Sequence, residues 1–178
     1  MASMTVYIGA LTRVDWPAPL RRRLQEHFDT IVKGQKSVSS ASVVYTSRAP
    51  KLGDYDLLVY IVDSPSESVV KKLDNAKPHP DATGWTRFAA NAMACEVYIS
   101  GNQDDPEGMA NLAFHELMHI KSRKTDNALH TMYGLSLGRE EVTAETPLNS
   151  GDIKLMRQYL TTKRSIWTGG FTVYHDPF

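Results

Sequence analysis

Asp104-Asp105-Pro106-Glu107-Gly108-Met109-Ala110-Asn111-Leu112-Ala113-Phe114-His115-Glu116-Leu117-Met118-His119-Ile120 is the stretch on which the fold turns. The two aspartates supply an N-cap and Pro106 a first-turn proline, so a helix starts here and is expected to run to about Lys124. Met109, Leu112, Ala113, Phe114, Leu117, Met118 and Ile120 wrap nearly its whole circumference in apolar surface, which predicts a buried helix. His115 and His119 stand at i and i+4, one turn apart on one face. Burying two imidazoles and the Glu116 carboxylate is expensive without a compensating partner, and a metal ion is the natural one.

Strands are expected upstream of this helix. Thr5–Ala10 is short and β-rich, Ser42–Ser47 is a second strand, and Leu57–Val62 is a nearly continuous apolar run suited to a central strand covered on both faces. Glu96–Ser100 reads as another short strand, closed by Gly101-Asn102. Between the first two, Asp15-Trp16-Pro17 opens a helix carrying Leu20, Leu24, Phe28 and Ile31 at helical spacing. Ser64-Pro65 is expected to cap a short helix through about Leu73, and the proline-containing stretch from Lys77 to Gly84 is a loop. Asn127 to Pro147 looks irregular. Asn149-Ser150 then caps a last helix with Ile153, Leu155, Met156, Tyr159 and Leu160, and the tail from Thr168 is expected to pack back as an extended segment. With no repeat, low-complexity tract or linker, residues 1–178 read as one domain, α+β or three-layer α/β.

Composition narrows the function classes. Twenty basic residues balance twenty acidic ones, which argues against a nucleic-acid or anionic-membrane binder, since either normally shows a basic excess. Arg21-Arg22-Arg23 is the only compact basic run and reads as the solvated face of a helix. Cys95 is the single cysteine, so neither an intrachain disulfide nor a Cys-rich structural zinc site can form; it reads as a small buried apolar residue. No apolar run reaches the roughly 18 residues of a membrane span. Met1–Thr5 lacks the basic and apolar segments of a secretory signal, so synthesis in the cytoplasm is expected, with signal-independent export left open.

His115-Glu116-Leu117-Met118-His119 is an H-E-x-x-H motif. Its spacing lets both imidazoles reach one zinc ion at roughly 2.0–2.1 Å. Zinc there lowers the pKa of a water towards about 7 and polarises a substrate carbonyl, and Glu116 is placed to take the water proton and pass it to a leaving amine. Catalytic zinc takes three protein ligands, so a third is needed among Asp126, His130, Glu140, Glu141 and Glu145. His130 is the first choice, because it lies just beyond the expected helix end. Asp126 follows, as ligand or as the group orienting a histidine. Glu141 serves if Arg139 to Glu145 is helical. His27, His79 and His175 stand in unrelated contexts and read as surface residues.

On these residues the chain resembles the zincin metallopeptidases, and within them the metzincin clan. Cys95–Ser100 stands where metzincins place the edge strand that binds extended substrate; Asp105–His119 is similar to their active-site helix, and Asn149–Leu160 to their closing helix. The similarity covers roughly residues 57–160. The clan's pattern continues x-x-Gly-x-x-His or Asp after the second histidine; here those positions hold Ser122 and Thr125, with Asp126 one residue late and His130 five late. Met132-Tyr133-Gly134 is a candidate for the clan's methionine turn. The gluzincin pattern, with Glu141 as third ligand, is the runner-up.

The resemblance implies a mixed twisted sheet with an edge strand, packed on an active-site helix and a C-terminal helix. It further implies one zinc per chain and a peptide or protein substrate lying antiparallel along Glu96, Val97, Tyr98, Ile99 and Ser100 by strand addition. Tyr133 and Tyr159 are candidates for a hydrogen bond to the oxyanion. Two other functions share the motif: zinc hydrolysis of a non-peptide amide or ester, and a catalytically silent domain holding zinc structurally, in which Glu116 would have no chemical purpose.

Overall fold

In the computed structural model, residues 1–100, 102, 105–123, 135, 142–160, 165–172 and 174 are described. The chain opens with strand β1 (Ala2–Ala10), passes through helix α1 (Pro17–Val32) and returns as β2 (Val38–Tyr45) beside β1. Strand β3 (Leu57–Val62) follows, then two single turns of 3-10 helix (Pro65–Glu67 and Val70–Leu73). Strands β4 (Gly84–Phe88) and β5 (Met93–Tyr98) form a hairpin that leads to helix α2 (Pro106–Ser122), and helix α3 (Ser150–Tyr159) comes last. The result is α+β: a five-stranded mixed sheet in the order β2-β1-β3-β5-β4, parallel except for β4.

Periodicity explains the layers. Leu20, Leu24, Phe28 and Ile31 of α1 are fully buried on the same sheet face as Val6, Ile8, Val59, Ile61, Cys95 and Val97. Helices α2 and α3 cover that face too, so the larger core lies between sheet and helices. The opposite face carries Leu58, Tyr60, Ala94 and Tyr98 beneath Val70, Leu73, Trp85 and two residues of the tail, Trp167 and Phe171. Tyr60 meets the rings of both, at centroid distances of 6.0 and 5.5 Å. The chain packs back from Ser165, where the Met93 N–H donates to the Ser165 carbonyl and the Trp167 N–H donates to the Met93 carbonyl. Among the described residues, no helix is long and apolar enough to cross a membrane.

Several expected elements change. β1 and β2 begin earlier than Thr5 and Ser42, at Ala2 and Val38, where β2 is an outer strand with exposed Ser39 and Ser40. The helix expected from Ser64 to Leu73 is two 3-10 turns, because the Glu96 carboxylate takes the N–H groups of Val69 and Val70 and breaks any longer run. Gly84, expected to end the loop from Lys77, instead begins a strand, Gly84–Phe88, to which the sequence assigns no element.

Candidate metal centre

Asp105 caps α2 by accepting the Gly108 N–H at 2.7 Å, with Pro106 in the first turn. A side chain at Gly108 would collide with that carboxylate, so the cap requires glycine there. Every residue of α2 from Gly108 to Ser122 is buried, as its apolar circumference demands. The helix stops at Arg123, whose φ of 55° is left-handed and turns the chain sharply.

His115 and His119 are 4% and 3% exposed, and their rings stand nearly perpendicular, at 84°. His115 Nδ1 lies 2.6 Å from the Leu135 carbonyl oxygen. That oxygen only accepts, so Nδ1 carries the hydrogen and Nε2 of a neutral ring presents its lone pair. Nε2 of His115 and Nε2 of His119 converge to 3.2 Å. Two donors each roughly 2.0–2.1 Å from a tetrahedral ion lie about 3.3–3.4 Å apart, so the pair is spaced to share one zinc. Anchoring of the distal ring nitrogen by a carbonyl is the usual support for such a ligand.

Glu116 points from the same helix towards the sheet margin. The Thr86 hydroxyl donates to Glu116 Oε2, and Gly84 leaves the space that the other oxygen fills: a Cβ on Gly84 would sit 2.6 Å from Glu116 Oε1. Neither residue carries a sequence signal for this role: Gly84 falls at the end of the expected loop, and an isolated threonine two residues on has no pattern that marks it. A second polar cluster ties α2 down on its other side. His27, expected at the surface, is instead buried on the core side of α1, where its Nε2 meets Asn111 Oδ1 at 2.7 Å; Asn111 Nδ2 donates to the carbonyls of Thr143, Ala144 and Thr146. Burial holds the His27 pKa below its ordinary value of 6.5, against the raising effect of Asn111.

The expected substrate strand is corrected. Glu96 and Val97 pair with β3 on one side and β4 on the other, and Ile99 and Ser100 donate to the carbonyls of Val62 and Asp63. β5 is therefore an inner strand with no row of peptide groups to offer, and the Glu96 carboxylate is committed to Val69, Val70 and the Tyr98 hydroxyl. The sheet margin on this side is β4, the other being β2. Tyr98 donates to the Thr83 carbonyl and Ala89 to that of Ala92, so the alternation of an antiparallel ladder turns the peptide groups of Gly84, Thr86 and Phe88 outward.

His130, Asp126, Glu140, Glu141, Met132 and Tyr133 lie outside the described residues. Glu145 is exposed, and Tyr159 of α3 packs half-buried on the larger core. Among the described residues no group of three metal-ligating side chains occurs. The chain matches no family model, no curated protein and no solved structure.

Proposed function

We propose that this chain is a zincin-like, zinc-dependent metalloendopeptidase in which His115 and His119 hold one zinc ion and Glu116 is the general base. The observation that carries this is the 3.2 Å approach of the two Nε2 atoms on a buried helix, beside a carboxylate fixed at the sheet margin. Bound zinc would supply Lewis-acid polarisation of a carbonyl and acidify the attacking water. His115 keeps its ring orientation through Leu135, so its Nε2 stays available to the ion. Glu116, held by Thr86 and seated over Gly84, would take the water proton and return it to the leaving amine.

An extended peptide adds to β4, not to β5. Gly84 and Thr86 present outward peptide groups and are the residues against which Glu116 rests, so a chain paired there passes the base directly. The third ligand is drawn from the residues after Arg123. In the clan's pattern, a helix-ending glycine precedes the ligand by three residues. Here the left-handed turn falls on Arg123, one residue past that position, and three residues further on is Asp126. That spacing favours Asp126 over His130 and Glu141.

Cleavage of a mixed peptide library, mapped by mass spectrometry for wild type and Glu116→Ala, tests the reading. The expected result is defined cuts by wild type and none by a Glu116→Ala protein that keeps its zinc. Zinc without cleavage in the wild type would refute the peptidase assignment and turn attention to another substrate class or a silent domain.

A further inference from the structure

Leu135 is completely buried, and its backbone is held on both sides of its Cα. Its carbonyl takes the His115 Nδ1 hydrogen at 2.6 Å, and its N–H donates to Asp152 Oδ2 at 2.9 Å. Asp152 is itself 0% exposed and belongs to the capping box of α3: Oδ2 also accepts the Asn149 N–H at 3.0 Å, and the Asp152 N–H donates to Asn149 Oδ1 at 2.9 Å. The backbone of one residue thus joins the start of the last helix to the imidazole on the central one.

We propose that Asp152 is a positioning residue for His115, acting through the Leu135 backbone to fix the ring of that histidine as a metal ligand. The proposal rests on the zinc reading above. A carboxylate acceptor fixes where the Leu135 backbone lies, and the Leu135 carbonyl in turn fixes which way the His115 ring faces. The charge of the acceptor makes the Leu135 N–H bond stronger than a neutral one, and so holds that backbone more firmly. An aspartate that served α3 alone would need only Asn149 as its partner, and Leu135 is 17 residues away in sequence.

The test is zinc affinity by competition with a chromophoric chelator, alongside thermal unfolding of the zinc-free proteins. Asp152→Ala removes the acceptor, Asp152→Asn keeps the shape without the charge, and Asn149→Ala weakens the same helix end while leaving the Leu135 contact. Affinity should fall about tenfold or more in Asp152→Ala, the range expected when a group behind a ligand is removed. Asp152→Asn should lose about threefold or more, and decides the matter if the alanine variant does not fold. Asn149→Ala should unfold at lower temperature yet bind zinc within about twofold of wild type. Wild-type affinity in a folded Asp152→Asn protein, or an equal loss in Asn149→Ala, overturns the proposal. A wild type that binds no zinc overturns the metal reading itself, and the proposal with it.

Discussion

Glu116 owes its position to two residues whose own chemistry is inert. Gly84 matters for what it lacks, since an added Cβ would lie 2.6 Å from Oε1 and 2.9 Å from Cγ of Glu116. Gly84→Ala should therefore displace the carboxylate and lower peptide cleavage by about a hundredfold, the cost of a misplacement near 1 Å, with zinc content unchanged. Thr86→Val, which keeps the shape and removes the donor, should cost about tenfold, and Thr86→Ser should restore most of the rate. Rates near wild type in both Gly84→Ala and Thr86→Val would show that the lodging is incidental. His27 makes a separate prediction. Its pKa is lowered first by burial, then by Arg23, against the raising influence of Asn111, Glu26 and Asp152. Below about pH 6.5 the unfolded chain takes up a proton that the folded chain refuses, so this group's contribution is intact above 6.5 and is lost as pH falls towards the lower folded value. Urea midpoints measured from pH 8 to pH 5 should fall less steeply for His27→Gln than for wild type; equal slopes would remove His27 from the account.

Helix α2 was legible in the sequence because three signals agree: an acidic cap, a first-turn proline and an apolar circumference. Its cap gives a direct check. Asp105→Ala should destabilise the protein by about 1 kcal/mol in denaturant titrations, and no change would mean the Asp105–Gly108 bond adds nothing to stability. β3 was legible for the same kind of reason, six apolar residues covered on both faces. β4 was not. Its helix-facing side carries Gly84, Thr86 and Phe88, and its other side Trp85 and Arg87, so neither side alternates cleanly between apolar and polar. An edge strand beside a buried carboxylate has no reason to show that alternation. Missing it moved the sheet margin one strand inward, onto β5, and with it the expected peptide-binding row. Glu96 illustrates the limit again: a carboxylate in a strand looks exposed in sequence, yet here it closes a 3-10 turn from within the core.

Taken together, the sheet order places an antiparallel margin beside the helix that carries both histidines, and α3 holds the strap that orients one of them. The H-E-x-x-H motif was readable at once; the lodging of Glu116 and the Leu135–Asp152 link were not, because they join residues 30 and 17 positions apart that no local pattern connects. A buried metal centre at the junction of three elements, as proposed, would tie stability to metal. At a free zinc concentration about a hundred times Kd, binding should add about 2.7 kcal/mol to the folded state and raise the melting temperature by a few degrees. The central claim is tested most directly by the metal content of the purified chain, determined by elemental analysis after dialysis against micromolar zinc, beside His115→Ala and His119→Ala. One zinc per wild-type chain, and none retained by either folded variant, is the predicted result. A wild type that emerges without zinc, or variants that hold as much as it does, would contradict the claim that these two histidines form a metal centre.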